Sequence, residues 1–251
     1  MPLKRRQVLF IGLASAAAAC LSALLALFGG VKFNREESEV TTPTMARVKL
    51  PKPSYRSEVS IEETLLLRRS IREYEDKPIT LEQLSQLLWA AQGITLPSYG
   101  FRTAPSAGAT YPLELYVVVK EGGVRDLDAG IYHYIPREHA LELEKAGDYS
   151  VDLMKASLNQ EWVGDAAVNL VINAVYERTA RRYGDRGERY VHMEVGHVGQ
   201  NVYLQCISLG LACVVIGAFY DDWVKKVVGG IGEPLYIIPI GVKKGGYKFQ
   251  A

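Results

Sequence analysis

One stretch of sequence decides the fold of this chain: Arg102-Thr-Ala-Pro-Ser-Ala-Gly-Ala-Thr-Tyr-Pro-Leu-Glu-Leu-Tyr-Val-Val-Val119. Its second half, residues 113–119, is apolar, β-branched and aromatic, which predicts a buried strand. Its first half is a loop of small residues and hydroxyls between two prolines, where a flat ligand could approach the backbone closely. An ordinary Pro/Gly turn before a strand explains the same residues. The stretch alone therefore predicts the strand and leaves the purpose of the loop open.

Helix signals lie on both sides of this strand. Ser60-Ile-Glu-Glu63 and Thr80-Leu-Glu-Gln83 are capping boxes, which satisfy the first backbone N–H groups of a helix. The longest helix is expected at 188–209, after a charged stretch at 178–189 that is expected to be a mobile connection. Further strands are predicted at 130–134, 140–143, 166–176 and 235–242. Because helices and strands interleave without a βαβ repeat, the predicted class is α+β, a mixed β-sheet packed by helices.

The N-terminal part of the chain has the composition of a membrane or signal segment. Lys4-Arg5-Arg6 precedes residues 8–31, which carry no charge. As a helix this run would be about 36 Å long, enough to cross a hydrocarbon core of roughly 30 Å. We therefore expect a transmembrane or signal helix at 1–33, a proline-containing linker at 34–57 and a folded domain at 58–251.

The charges around this run predict the side of the membrane on which the domain lies. Positive charge is in excess before the run, which favours an N-terminus inside and a domain outside. Arg5-Arg6-Gln-Val-Leu resembles the twin-arginine export signal, and the basic flank of a plain anchor would look much the same. The expected localisation is membrane-anchored or exported, with an extracytoplasmic domain.

Composition argues against two kinds of site. The formal net charge is +1, and Lys and Arg are scattered rather than gathered into a stripe, so nucleic-acid binding has no electrostatic support. His192 and His197 are five residues apart, which places them on different faces of a helix, so no metal site is expected. The cysteines form no CxxC pair, and Cys206 and Cys213 are expected to be buried thiols.

A second informative stretch is Arg68-Arg69-Ser70-Ile71-Arg72, at the end of the first predicted helix. Three guanidinium groups and a hydroxyl within five residues offer forked donors that suit a phosphate dianion. Cations also favour the negative end of a helix for electrostatic reasons alone. The cluster therefore indicates either an anion site or a simple helix terminus.

Both stretches together resemble one protein family. Arg-Arg-Ser-Ile-Arg-Glu-Tyr is similar to the opening motif of the nitroreductase superfamily, and Ala-Pro-Ser-Ala-Gly-Ala-Thr-Tyr-Pro-Leu-Glu is similar to its signature loop, in particular that of the SagB-type dehydrogenase branch. The two motifs occur in the family's order, about 35 residues apart. The resemblance covers roughly residues 58–245. It implies an FMN cofactor and a homodimer with each flavin at the subunit interface.

The resemblance also implies which basic residues meet the cofactor. Arg68 corresponds to the position that meets the FMN phosphate, with Ser70 beside it and Arg69 in the same motif. Arg72 corresponds to a position that points toward the pyrimidine side of the flavin, where a fixed positive charge would favour hydride acceptance. Lys243, after the last strand, is a further phosphate candidate, although a surface lysine is an equally good interpretation.

Two other elements are implied to contact the ring. The expected contacts of the loop are Pro105, Ser106, Ala107 and Gly108. Val214-Val-Ile-Gly-Ala-Phe219 is similar to the family's third element, in which a backbone amide faces the flavin N5 atom. Ile216 and Gly217 are therefore candidates. The family often has Pro and Glu near this glycine and this chain does not, so the contacting amide stays open.

The implied activity is hydride transfer by a ping-pong mechanism, from a reduced donor such as NAD(P)H through FMN to a small organic acceptor. The SagB-type alternative is oxidation of azoline rings in a modified peptide. A third possibility, from another class, is a flavin-binding module without turnover. No Ser-His-Asp or Cys-His arrangement stands out, so no catalytic side chain is expected beyond those that position the cofactor.

Overall fold

In the computed structural model, residues 46–248 are described, and they form a central β-sheet with helices on both faces. The strands, in chain order, are β1 (Arg47–Lys49), β2 (Tyr74–Glu75), β3 (Ile94–Leu96), β4 (Phe101–Arg102), β5 (Leu113–Val119), β6 (Gly130–Ile135), β7 (Ala140–Ala146), β8 (Val168–Ala174), β9 (Leu211–Cys213) and β10 (Glu233–Lys243). The α-helices are α1 (Ile61–Leu67), α2 (Leu81–Gln92), α3 (Ser150–Ala156), α4 (Glu161–Asp165), α5 (Tyr176–Tyr183), α6 (Gly187–Ser208) and α7 (Asp221–Val228). The predicted α+β class is confirmed.

The main sheet has the order β1-β7-β6-β5-β8-β10-β2, and β9 also pairs with β10. Strands β3 and β4 form a separate hairpin. Every pairing between these strands is antiparallel. Across residues 46–248, parallel pairing is confined to an isolated bridge between Ile79 and Val124. Strand β5, at the end of the deciding stretch, therefore lies inside the sheet between β6 and β8.

Strand β5 is apolar except for Glu114 because both of its faces are buried. Leu115 and Val117 pack into a core formed with α2 and α6. Tyr116 and Val118 point to the opposite face and pack into a second core formed with α3, α4 and α7. Successive side chains of a strand alternate between faces, so one apolar run serves both cores.

The first two helices begin as the sequence predicts. Ser60 Oγ accepts a hydrogen bond from the N–H of Glu63, whose carboxylate accepts from the N–H of Ser60, at 3.1 and 3.0 Å. Thr80 and Gln83 repeat this reciprocal pair at 3.2 and 2.9 Å. Both capping boxes are therefore confirmed, and they fix where α1 and α2 begin.

Two local predictions need correction. The charged stretch 178–189 is not a mobile connection, because it contains most of α5, a 3₁₀ turn and the start of α6. Strand β1 lies within the stretch predicted as a linker and pairs with β7 from Arg47 opposite Glu142 to Lys49 opposite Ala140. The sheet therefore starts before residue 58. The boundary predicted at residue 33 lies outside the described residues.

The predicted membrane attachment is also corrected. Among the helices within residues 46–248, none is long and apolar enough to span a bilayer. This finding contradicts the transmembrane helix and the membrane-anchored or exported, extracytoplasmic localisation expected from the sequence. Residues 8–31, on which those predictions depended, are not among the described residues.

Candidate functional site

The Arg68–Arg72 segment leaves α1 and runs beside β9. Arg68 closes the helix through its N–H, which donates to the carbonyl of Thr64. The N–H of Ile71 donates to the carbonyl of Cys213 at 3.0 Å, which ties the segment to β9. Arg69 donates to the carbonyls of Leu66 and Arg68, at 3.0 and 2.7 Å. Of the two interpretations of the arginine cluster, Arg69 therefore fits the helix terminus.

Tyr203, on α6, connects two predicted site elements, and the sequence did not single it out. Its hydroxyl lies 2.9 Å from Ser70 Oγ and accepts the N–H of Val215 at 2.9 Å. The guanidinium of Arg68 lies over its ring, 5.2 Å from the centroid. A phenol has a single proton, so Tyr203 can accept from Val215 while donating to Ser70. That arrangement leaves the Ser70 proton and the Arg68 fork available for an anion.

The remaining predicted cations lie on neighbouring elements. The register of β2 with β10 places Lys243 opposite Tyr74, which follows Arg72 by two residues. Lys243 Nζ donates to the carbonyl of Lys244 at 3.1 Å. The guanidinium of Arg72 lies over the indole of Trp162 on α4, 5.3 Å from its centroid. The described chain thus brings Arg68, Ser70 and the Val215 segment into contact, with Arg72 and Lys243 on adjoining segments.

Ile216 and Gly217 come directly after Val215, whose N–H donates to the Tyr203 hydroxyl. Ile216 exchanges both backbone hydrogen bonds with Ile237, at 2.8 and 3.0 Å, so the segment is held beside β10. Gly217 is exposed, and a Cβ placed there would come no nearer than 3.8 Å to the ring of Tyr236. The chain's own packing therefore does not require this glycine. Its use would be to let a ligand approach the backbone.

Replacing Tyr203 with Phe tests how far this residue supports the site. The Val215 N–H would lose its acceptor, so Tyr203→Phe should lower the free energy of unfolding by about 1–2 kcal/mol. Urea unfolding of the full-length protein measures the change. Tyr220→Phe is the matched control, since Tyr220 is 50% exposed, and we expect it to stay within about 0.5 kcal/mol of the wild type. Equal stabilities for the two variants would contradict the role given to Tyr203.

The loop before β5 has a strained backbone. Gly108, Ala109 and Tyr111 have positive φ angles of 60, 53 and 45°. A Cβ on Gly108 would approach the hydroxyl of Tyr183 to 2.7 Å, so this glycine is required both by its φ angle and by its neighbours. Strained backbone of this kind persists only where the surrounding structure holds it, and it is enriched at functional sites.

Hydrogen bonds from α5 hold the loop in this conformation, and an ion pair to β5 holds one of the α5 donors. Arg182 donates to the carbonyl of Gly108 at 3.2 Å, and the hydroxyls of Thr110 and Thr179 lie 2.8 Å apart. Arg178 donates to the carbonyl of Tyr111 at 3.1 Å and forms an ion pair with Glu114 at 2.5 Å. The stretch 178–189 is expected from the sequence to be mobile, but its α5 part holds the loop in place through these contacts.

The Glu114 carboxylate on β5 is also in contact with His133, 2.8 Å from its Nε2. Burial alone would raise the pKa of Glu114, but the hydrogen bonds and charges of His133 and Arg178 outweigh it and hold the pKa below its ordinary value. Glu114 therefore stays ionised near neutral pH and anchors Arg178 beneath the loop.

The loop hydroxyls are less free than the sequence suggests. Ser106 Oγ accepts the N–H of Tyr111 at 2.9 Å, and its hydroxyl lies beside the Glu194 carboxylate on α6, whose ionised form it favours. Thr110 Oγ1 donates to the carbonyl of Ala107 at 3.0 Å, besides its contact with α5. Pro105 and Gly108 are exposed and Ala107 is half-buried. The surface that the loop offers is thus mainly backbone and small side chains.

The two predicted halves of the site lie at different places along α6. Ser70 contacts Tyr203, whereas Ser106 contacts Glu194, nine residues earlier in the same helix. At 1.5 Å per residue these contacts are about 13 Å apart along the helix axis. The loop hydroxyl and the arginine segment therefore lie against different turns of α6.

With this geometry established, comparison with known proteins identifies the class. Residues 65–242 match the nitroreductase family. The chain belongs to that family, as the resemblance of its two motifs predicts, and its fold of a sheet packed by helices is that of solved nitroreductases.

Three individual proteins show how similar this chain is to members of the family. A protein of Methanocaldococcus jannaschii that bears the name nitroreductase is 48% identical over 186 residues, which cover 74% of this chain and 92% of the relative. The microcin B17-processing protein McbC of Escherichia coli is 28% identical over 153 residues, which cover 60% of this chain and 56% of McbC. A nitroreductase crystal structure from Ralstonia eutropha superposes with a TM-score of 0.69 at 32% identity, over 81% of this chain and 92% of that one.

Proposed function

We propose that this nitroreductase-family protein binds FMN, with the phosphate at Arg68 and Ser70. The single observation that carries the proposal is the Tyr203 contact: the Arg68 guanidinium lies over its ring and Ser70 Oγ lies 2.9 Å from its hydroxyl, so both can donate to one anion when Tyr203 donates to Ser70. A phosphate dianion is the ligand that such a donor set fits. Lys243, on the adjoining strand, would add a further positive charge.

The flavin ring would then extend toward Ile216 and Gly217, where the exposed backbone allows close approach. Arg72 would provide positive charge near the pyrimidine edge, while its contact with Trp162 fixes the guanidinium in place. When bound, FMN supplies the hydride chemistry, between a reduced donor such as NAD(P)H and a small organic acceptor. The chain's own residues would bind the cofactor, orient its ring and polarise it.

We further propose that the working form is a homodimer in which the loop of one copy completes the site of the other. The separation of the Ser70 and Ser106 contacts along α6 supports this arrangement. A second support is the apolar face of α1, where Ile61, Leu65 and Leu66 are each more than half exposed. Exposed apolar residues this close together are typical of a surface that another protein covers.

The test of the cofactor site compares two neighbouring arginines. Arg68→Ala should weaken FMN binding by roughly ten- to hundredfold, since a charge-assisted contact to phosphate is worth about 1.5–3 kcal/mol. Arg69→Ala should change affinity by less than about threefold, because its guanidinium is already bonded to helix carbonyls. Quenching of FMN fluorescence by the full-length apoprotein measures both affinities.

Two results would contradict this assignment. Equal losses in the two arginine variants would mean that charge alone, rather than the Arg68 fork, holds the ligand. A folded wild-type protein that shows no quenching with excess FMN would exclude the cofactor itself. Circular dichroism of each variant controls for loss of the fold.

A second candidate function is oxidation of azoline rings in a modified peptide, in which bound FMN would accept a hydride from the ring and the second ring hydrogen would leave as a proton to solvent. The similarity to McbC, which is named for microcin B17 processing, favours it. Mixing an azoline-containing peptide with the FMN-loaded protein without oxygen should then bleach the flavin absorbance and yield azole. Bleaching by NAD(P)H alone supports the first function, and bleaching by neither would indicate a flavin-binding module without turnover.

A further inference from the structure

A buried carboxylate lies directly behind the loop. Glu194 projects from α6 and is only 2% exposed. It accepts a long hydrogen bond, 3.5 Å, from Nε2 of Gln92 on α2, and the neighbouring Ser106 hydroxyl favours its ionised form. Gln92 is fully buried, and its Oε1 accepts from Arg102 at 2.9 Å. The polar chain therefore runs from Arg102 through Gln92 and Glu194 to Ser106.

Within residues 46–248, one cation, Arg102, influences this carboxylate, and it is shared with other groups. Arg102 attracts Glu194 without contacting it directly and is also under the influence of Glu114 and Arg178. Its guanidinium lies over the ring of Tyr111, 4.5 Å from the centroid, and its Nε is buried with no partner within residues 46–248. The charge of Glu194 is therefore only partly compensated.

Burial is the largest influence on the pKa of the Glu194 carboxyl and raises it to about 7, although Ser106, Gln92 and Arg102 act to lower it. The ionised and the protonated carboxyl are thus both well populated near neutral pH. Each form imposes a different hydrogen-bond pattern on Ser106.

The Ser106 hydroxyl has one proton to give and two lone pairs. Its oxygen already accepts the N–H of Tyr111, so its proton goes to the carboxylate when Glu194 is ionised. A protonated Glu194 can instead donate to the second lone pair of Ser106. The Ser106 proton is then released and can point out of the loop, which is exposed at Pro105 and Gly108.

We propose that Glu194 is a positioning residue that sets the direction of the Ser106 hydroxyl: inward to its own carboxylate when ionised, and outward to a hydrogen-bond acceptor on the bound flavin when protonated. The inference rests on the proposed FMN function and adds a regulator to it. Glu194 touches neither cofactor nor substrate, and its effect passes entirely through Ser106. The nine-residue displacement from Tyr203 separates this control from the phosphate contacts.

The test measures FMN affinity of the full-length apoprotein near pH 5.5 and pH 8.5 for the wild type, Glu194→Gln, Ser106→Ala and the double variant. Glutamine mimics the protonated carboxyl, so Glu194→Gln and wild type should bind equally at the lower pH. At the higher pH the wild type should bind about three- to tenfold more weakly, which is the effect of one lost hydrogen bond. Comparing variants at one pH cancels the titration of the FMN phosphate itself.

Ser106→Ala separates positioning from mere structural support. Without the hydroxyl, replacing Glu194 with Gln should no longer change FMN affinity at either pH, so the two effects should be strongly non-additive. This pair of Ser106 variants also tests the idea if the single Glu194→Gln protein folds poorly. A readout that needs no cofactor is the infrared band of a protonated buried carboxyl in the apoprotein, which should titrate near neutral pH and be absent in Glu194→Gln.

The outcomes are distinguishable. If FMN binds and the ratio of wild-type to Glu194→Gln affinity is the same at both pH values, the inference is overturned while the cofactor assignment stands. If the ratio changes equally with and without the Ser106 hydroxyl, Glu194 does not act through Ser106 and the inference is again overturned. If FMN does not bind at either pH, the proposed function fails and the inference with it.

Discussion

Near pH 8, the Glu194→Gln protein should be about 3 kcal/mol more stable than the wild type, and near pH 4 the two should be about equally stable. Burial raises the pKa of Glu194 from its ordinary value of 4.5 to about 7 in the folded protein. A carboxyl with a raised pKa favours the folded state fully below 4.5, and this contribution is lost as the pH rises through 7. Glutamine has no charge to bury, so it avoids that loss.

Urea unfolding of the full-length proteins at a series of pH values measures this difference. Glu188→Gln is the matched control, because Glu188 is on the same helix and exposed, and its stability should follow the wild type within about 0.5 kcal/mol at every pH. A Glu194→Gln difference that does not grow between pH 4 and pH 8 would mean that the wild-type carboxyl is not held in a desolvated site.

The sequence predicts the fold well where local signals act alone. The apolar run of β5 predicts a buried strand because both faces of the sheet are covered, and the capping boxes at Ser60 and Thr80 predict the starts of α1 and α2. The α5 helix was missed because charge-rich sequence usually indicates solvent. Here Arg178 is instead paired with Glu114, and Thr179 is buried against the loop.

The site is less predictable than the fold because its connections are long-range. Motif resemblance predicts the arginine segment and the loop, but nothing local indicates that Tyr203 joins Ser70 across 133 positions of sequence. Glu194 likewise stands in a helix with many polar residues, where its burial cannot be recognised without the packing of α2 and the loop. Such residues become visible only after the tertiary contacts are known.

If each site combines the Arg68 segment of one chain with the loop of the other, two variants that each lack FMN binding should restore it when they form a mixed dimer. Arg68→Glu places a carboxylate where the phosphate should bind, and it should reduce affinity by more than about a hundredfold. Gly108→Val places a β-branched side chain at a φ of 60° and within 2.7 Å of the Tyr183 hydroxyl, so it should distort the loop. Each variant alone should therefore purify nearly free of flavin.

Co-expression of the two variants with different affinity tags, followed by sequential purification on both, isolates dimers that contain one chain of each kind. If the Arg68 segment of one chain meets the loop of the other, one of the two sites in such a dimer is made entirely of unaltered elements. These mixed dimers should then carry about half of the wild-type flavin content. Dimers of a single variant bearing the same two tags control for the tags and should stay empty.

Mixed dimers that also stay empty would show that each site is built within one chain, since every chain then contains a defect. Failure of the second tag to retain any protein would show that the chain does not form dimers. Flavin restored to about half has no explanation from two independent monomeric sites, because neither variant binds alone. The large difference expected between empty and half-loaded protein makes absorbance of the bound flavin a sufficient measurement.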